Sequence, residues 1–230
     1  EILGQIPLLF PAGARSASGE FNLPSELRNK LARFEIVGSR TVGGIVLVDE
    51  RWRRRPVGLL TAVGDSISQP LLNALHYLGQ AVAPYAEVRK GGVLELLKRG
   101  LAVLIIADPG RLELAEKKAI QTWIDKGGVL LQFAGPRLSR EAGSAASLLP
   151  VQLRPGGRNI GGSLSWGKPQ SLVPFSISSP FHGLKIPDDI KIDRQVLAQP
   201  SLDLADKTWA RLSDGTPLVT ASKRGEGWTV

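Results

Sequence analysis

The chain has 230 residues, of which 43% are hydrophobic and 22% charged, a composition that suits a globular protein with a substantial core. It contains no Cys, which excludes disulfides, thiolate nucleophiles and Cys-based zinc or iron–sulfur sites. Because His76 and His182 are the only histidines, we expect no metal site. The longest apolar run, Leu101–Ala107, is far shorter than the roughly 18 residues of a membrane span. This stretch of chain is therefore predicted to be soluble.

The charge balance is basic, with 29 Lys and Arg against 21 Asp and Glu and a formal net charge of +8. The excess is spread along the chain, and the one dense cluster is Arg51-Trp-Arg-Arg-Arg55. Arginines directly before an apolar run are typical of solvated residues that flank a strand. Contact with an anion or a partner is the alternative. Since one short cluster gives little support for phosphate recognition, we predict no nucleic-acid partner.

Residues 1–55 carry two runs in which polar and apolar residues alternate, Ala32–Val37 and Gly44–Asp49. A period of two predicts half-buried β-strands, here as an antiparallel pair. We interpret residues 1–55 as a β-rich segment that forms the tail of a preceding domain, within a longer protein.

From Val57 onward, short apolar runs alternate with segments of helical period, which predicts βαβ units and a parallel sheet. The predicted strands are Val57–Val63, Tyr85–Arg89, Leu101–Ala107 and Gly128–Phe133, and the predicted helices are Leu71 to about Pro84, Gly92–Arg99 and Glu113–Lys126. The strand Leu101–Ala107 is apolar on both faces, so we expect it to be central in the sheet. Residues 151–230 are richer in turn signals and read as a β-rich extension, whose last hairpin, Leu218–Val230, returns to the sheet.

Three loops follow the predicted strands and combine glycine with polar side chains. Ligands of open parallel sheets bind beyond the carboxyl ends of the strands, so these loops are the candidate site. The residues that we expect to line the resulting crevice are Asp65, Ser66, Asp108, Arg111 and Arg137. Ordinary turn chemistry is the competing interpretation for each loop.

Gly64-Asp65-Ser66 resembles the nucleophile block of the Gly-Asp-Ser hydrolases, in which Ser66 would attack an ester with help from a histidine such as His182. That family carries an Asp three residues before its histidine, whereas this chain has Ser179 there. A serine hydrolase or esterase is therefore the alternative function, and a helix cap is the other role for Ser66. No phosphate loop or dinucleotide fingerprint occurs, so no cofactor is predicted.

The two remaining candidate groups are predicted to be structural. His76 lies beside the apolar stripe of a predicted helix, which favours a partly buried side chain. The five tryptophans are too scattered along the sequence to predict a stacking platform, and we expect them to pack in the core or at its edge. They are Trp52, Trp123, Trp166, Trp209 and Trp228.

Several segments resemble the class I glutamine amidotransferase-like, flavodoxin-like domain found in BatA-like, aerotolerance-type bacterial membrane proteins. Four of them lie between residues 104 and 136: Leu104-Ile-Ile-Ala-Asp108, Leu112-Glu-Leu-Ala-Glu116, Trp123-Ile-Asp-Lys-Gly-Gly-Val129 and Phe133-Ala-Gly-Pro136. Three more lie downstream: Leu148-Leu-Pro-Val-Gln-Leu153, Ser179-Pro-Phe-His-Gly-Leu184 and Ala210-Arg-Leu-Ser-Asp-Gly-Thr-Pro217. The resemblance implies a three-layer parallel α/β domain over residues 56–230, extension included.

The same resemblance implies a protein that does not catalyse. Active members place a nucleophilic Cys on the turn where this chain has Ala134-Gly135-Pro136, and their catalytic His would follow His182, where this chain has none. The expected function is thus a ligand-binding or protein-interaction module of a membrane-anchored bacterial protein. Its implied partners are neighbouring domains of the same polypeptide and a small molecule or cell-envelope component, on the periplasmic side.

Overall fold

A computed structural model of the chain describes residues 2–39, 41–49, 55–60, 74–109, 112–140, 147–160 and 168–230. The chain divides into two compact units. The first comprises Glu1–Arg55 with Tyr85–Glu87, and the second comprises Pro56–Pro84 with Val88–Val230.

The first unit contains a short helix and a β-hairpin. Its elements are α1 (Ser25–Arg28), β1 (Arg33–Glu35), a 3-10 turn (Val42–Gly44) and β2 (Ile45–Leu47). The two strands pair antiparallel, with Phe34 opposite Val46, as the alternation predicts. The prediction of half-buried strands is wrong, because every residue of both strands is exposed. Within the described residues β1 and β2 form a sheet of two strands only, so neither strand has a second strand neighbour.

The second unit contains a six-stranded, mostly parallel sheet and is of mixed α/β type. Its strands are β3 (Pro56–Leu60), β4 (Glu87–Gly91), β5 (Val103–Ala107), β6 (Val129–Phe133), β11 (Ser222–Arg224) and β12 (Gly227–Thr229). The strand order is β11-β12-β6-β5-β3-β4. Strand β5 runs parallel to both β3 and β6, which agrees with the interior position expected from its apolar faces.

The described residues of this unit include four helices: α2 (Ala74–Val82), α3 (Val93–Lys98), α4 (Leu114–Asp125) and α5 (Pro136–Arg140). The backbone N–H of Glu113 donates to the Glu116 carboxylate at 3.0 Å, which satisfies one free donor at the start of α4. Side chains of α3 and α4 pack on β5 and β6 to form the core. Its members are Val93, Leu96, Leu104, Ile106, Ile120, Ile124, Leu130 and Leu148. No helix in the described ranges is long and apolar enough to cross a bilayer.

The extension adds antiparallel pairs and then contributes strands to the main sheet. Strand β7 (Leu153–Asn159) pairs with β8 (Arg194–Ala198), and β9 (Thr208–Arg211) pairs with β10 (Pro217–Thr220). The last strand, β12, runs parallel to β6, with Trp228 opposite Val129. This approach requires glycine at 227, because a Cβ there would overlap the backbone of Gly128 and Ile124.

Candidate functional site

The turn after β5 directs a carboxylate onto the first turn of α5. Asp108 has a φ of 45°, and its Oδ1 accepts the backbone N–H of Arg137 at 3.0 Å and of Leu138 at 2.9 Å. The N–H of Asp108 donates to the carbonyl of Phe133 at 2.8 Å, which fixes the turn on the end of β6. The carboxylate thus satisfies donors of α5 that would otherwise face the carboxyl end of the sheet.

Gly135 makes this contact sterically feasible. A Cβ at Gly135 would lie 2.6 Å and 2.7 Å from the two carboxylate oxygens of Asp108, well inside van der Waals contact. Gly135, which was predicted to be a turn residue, therefore allows a carboxylate to approach the chain closely. A second anion would meet both the Asp108 charge and donors that are already engaged.

The structure brings two of the predicted crevice residues, Asp108 and Arg137, into contact. Asp108 and Arg137 meet through the backbone N–H of Arg137, while the Arg137 side chain is exposed. Asp65, Ser66 and Arg111 lie outside the described residues, as do positions 51–54 of the arginine cluster. Arg55 is exposed.

The two histidines lie on different elements. His76 is half-buried on α2, and its ring packs edge-on against Tyr77 at 5.6 Å. His182 is exposed, with Nδ1 3.5 Å from the carbonyl of Phe175. Neither contact involves a carboxylate that would orient the ring for proton transfer.

A row of four aromatic rings crosses the extension, and the sequence pattern did not predict it. Ring centroids are 5.4 Å apart for Phe175 and Phe181, 6.1 Å for Phe181 and Trp209, and 5.3 Å for Trp209 and Trp228. Trp209 lies on β9 and Trp228 on β12, so two tryptophans that are distant in sequence become neighbours. Their separation in the sequence gave no sign of this contact.

A cavity of about 260 Å³ lies beside two of these rings, Phe175 and Trp209, and is lined by residues 173–176 and 208–211. The backbone N–H of Val173 donates to the carbonyl of Arg211 at 3.1 Å and holds the two walls together. Phe175 and Trp209 supply ring surface, and the exposed Arg211 supplies a cation. Such a cavity suits a ligand that combines an apolar body with a negative charge.

A second polar cluster ties the β7–β8 pair to the turn before β10. The Arg158 guanidinium donates to Gln195 Oε1 at 2.6 Å, to Thr216 Oγ1 at 2.8 Å and to Asp214 Oδ2 at 2.5 Å. Burial alone would raise the pKa of Asp214, but hydrogen bonds from Thr216 and Arg158 outweigh it and lower that pKa below its ordinary value. These groups satisfy one another, so the cluster stabilises the extension.

Two side chains next to the sheet end carry buried polar atoms that have no hydrogen-bond partner in the described ranges. The amide atoms of Gln132 and the hydroxyl of Thr229 have no hydrogen-bond partner among the described residues. Both side chains lie on the face of the sheet that carries Leu130, given the pairing of β12 with β6. Within the same described ranges, no three His, Asp or Glu residues are grouped to hold a metal ion.

Comparisons with known proteins do not assign a family. No protein-family model matches the sequence, and no curated protein matches it. Among solved structures, a β-galactosidase from Bacillus circulans sp. alkalophilus is 13% identical, with a TM-score of 0.48, over 75% of this chain and 27% of that one. A cytoplasmic protein of Salmonella typhimurium is 16% identical, with a TM-score of 0.45, over 76% of this chain and 85% of the other.

An exo-β-1,4-mannosidase from an Opitutaceae bacterium is 14% identical, with a TM-score of 0.41, over 77% of this chain and 31% of that one. The chain thus corresponds to less than a third of the length of either glycosidase. Likenesses this weak identify neither a fold family nor an activity.

Proposed function

We propose that this chain is a non-catalytic, amidotransferase-like module that binds a ligand or a neighbouring domain within a larger, membrane-anchored bacterial protein of the cell envelope. Its α/β unit is of flavodoxin-like type under this proposal. One observation supports it most strongly: the Asp108 carboxylate binds the backbone donors that follow β6.

Acyl and amide transfer need donors that are free to bind a developing oxyanion near the nucleophile. At the turn after β6, the N–H groups of Arg137 and Leu138 are engaged by a carboxylate of the same chain. Ala134 stands where the resemblance places a nucleophile, and its methyl group cannot attack a carbonyl. The turn therefore combines an engaged donor pair with an inert side chain, which supports binding without turnover.

The cavity beside Trp209 supports the ligand-binding half of the proposal. Aromatic surface next to a guanidinium recognises a ring or alkyl chain that carries a carboxylate or phosphate. A cell-envelope component or a small molecule with those features fits this description. Contacts with neighbouring domains of the same polypeptide fit the remaining surface.

The test is a turnover assay on the purified chain, with glutamine and a series of p-nitrophenyl esters as substrates. We expect ammonia and p-nitrophenol release at the rate of the buffer alone, both for the parent chain and for Ser66→Ala. Ser68→Ala is the matched control for any effect of removing a nearby hydroxyl. Ester hydrolysis that is lost in Ser66→Ala and kept in Ser68→Ala would replace this proposal with the serine hydrolase, and glutamine hydrolysis would overturn it directly.

A further inference from the structure

The outer edge of β1 presents unpaired backbone groups in a defined pattern. Backbone hydrogen bonds join Ile36 to Gly44 at 2.8 Å and Val48 to Ala32 at 2.9 Å. Hydrogen-bonded pairs alternate in an antiparallel ladder, so Phe34 bonds to Val46, and the N–H and C=O groups of the residues on either side of it point away from β2. These residues are Arg33 and Glu35. Within the described part of the chain β1 has β2 as its only strand neighbour, which leaves this edge open.

The hairpin also exposes several apolar side chains. Phe34 is 40% exposed, Val46 64% and Leu47 75%. A two-stranded hairpin is at best marginally stable in water and gains stability from a third strand or a covering layer. Phe34 and Val46 lie opposite each other on one face of the hairpin, and Leu47 lies on the other face beside Arg33. Exposed apolar side chains on a strand pair mark an interaction surface.

We propose that two copies of the chain associate through β1, antiparallel about a two-fold axis at Phe34, to form the four-stranded sheet β2-β1-β1-β2. In this arrangement Arg33 of one copy lies opposite Glu35 of the second. The outward backbone groups then form four hydrogen bonds, two for each Arg33–Glu35 pair. The sequence Arg33-Phe-Glu35 is complementary in charge to itself when read antiparallel, so the occupant of this edge is a second copy.

The side chains on both faces of β1 are compatible with a two-fold axis at Phe34. Arg33 Nε already lies 3.0 Å from Glu35 Oε2 within one chain, and the dimer would join two such pairs into a ring of alternating charges. On the opposite face Phe34 packs against Phe21 with centroids 5.5 Å apart. The non-hydrogen-bonded position brings the two Phe34 rings closest, which makes a cluster of four aromatic rings. The edge of β2 carries Ile45 and Leu47 and has no charges to fix such a pairing.

The test is sedimentation velocity of the whole chain over a range of concentrations. We expect a dimer for the parent chain. Arg33→Glu and Glu35→Arg each place like charges opposite one another, and each is expected to raise the dimer dissociation constant about tenfold or more. Arg15→Glu and Glu20→Arg change the net charge equally at exposed positions outside β1, and both are expected to leave the dimer intact.

Mixing the two single variants separates association from an effect on the hairpin itself. Each variant lacks the Arg33–Glu35 pair within its own chain, yet the mixture opposes two carboxylates in one copy to two guanidiniums in the other. We therefore expect a heterodimer from two monomeric variants, with circular dichroism spectra that match the parent chain. The amides of Arg33 and Glu35 should also exchange hydrogen more slowly as the parent chain is concentrated.

Three results would overturn the proposal. The first is a parent chain that stays monomeric up to its solubility limit. The second is a dimer that survives both single variants, which would place the interface on the β2 edge or elsewhere. The third is a mixture that shows no heterodimer although both variants are folded.

Discussion

Backbone donors at the carboxyl end of the main sheet have hydrogen-bond partners within the chain, whereas the outer edge of β1 has no strand neighbour in the described residues. At the sheet end, the carboxylate of Asp108 accepts hydrogen bonds from backbone donors of α5, and Gly135 leaves room for this carboxylate. On β1, the outward backbone groups of Arg33 and Glu35 have no strand neighbour in the described ranges. Polar groups that form hydrogen bonds within the chain stabilise the fold. Backbone groups at an open strand edge instead gain free energy when they bond to another chain.

The largest expected effect on stability comes from disrupting the hydrogen bonds between Asp108 and the first turn of α5. Gly135→Ala places a methyl group against the Asp108 carboxylate, so the hydrogen bonds to α5 must lengthen or the turn must move. We expect a loss of about 3 kcal/mol in the free energy of unfolding, measured by urea denaturation. Gly92→Ala is the control, because nothing lies within 4 Å of a Cβ there. Equal stability of the two variants would show that Asp108 does not hold α5.

A smaller, pH-dependent effect on stability is expected at the hydrogen-bonded cluster around Arg158 and Asp214. The pKa of Asp214 is lowered in the folded chain, so the unfolded chain binds the proton more readily and the contribution of Asp214 to stability rises with pH. That contribution is present above the ordinary carboxyl pKa of 3.8 and is lost as the pH falls through the folded pKa.

The corresponding variant is Asp214→Asn, for which we expect a loss of about 1 kcal/mol at neutral pH. The difference from the parent chain should shrink as denaturation curves are taken to acid pH. Asp188→Asn, at an exposed position, is the control and should match the parent throughout. A deficit of constant size across this range would mean that the Asp214 charge plays no part.

The smallest expected effect concerns a buried hydroxyl group of the main sheet, that of Thr229. Thr229 is fully buried and its hydroxyl has no partner among the described residues. Thr229→Val keeps the shape and removes that hydroxyl, so stability should be unchanged or rise by up to about 1 kcal/mol. In Thr208→Val the lost hydroxyl donates to the carbonyl of Leu204 at 2.6 Å, and a loss is expected instead. A marked loss in Thr229→Val would mean that an ordered water serves this hydroxyl.

Local patterns were sufficient to predict most of the parallel sheet. The run Leu101–Ala107 is apolar at successive positions, which demands cover on both faces and so an interior strand, and β5 is one. The stop of α4 also follows from sequence, because Lys126 precedes a glycine with a φ of 107°. In the hairpin, alternation predicted the antiparallel pairing and could not predict exposure, since exposure depends on what covers a strand.

The candidate site was harder to predict, because its contacts join residues that are distant in sequence. A polar residue after a strand marks the sheet end, and this signal identified Asp108. It does not show whether the carboxylate faces a ligand or, as here, the backbone of a helix about thirty residues later. The row from Phe175 to Trp228 depends on β12 joining β6; the return of the last hairpin to the sheet was predicted, but which side chains it would meet there was not.

The pairing of β12 with β6 also has a consequence for how the chain folds. Strand β6 ends at Phe133, but its second neighbour begins at Gly227, so this part of the sheet closes a loop of roughly ninety residues. Closure over such a span is slow, and until it occurs β6 is an unpaired edge. During synthesis the incomplete sheet would therefore be exposed to wrong pairing while the whole extension is being made.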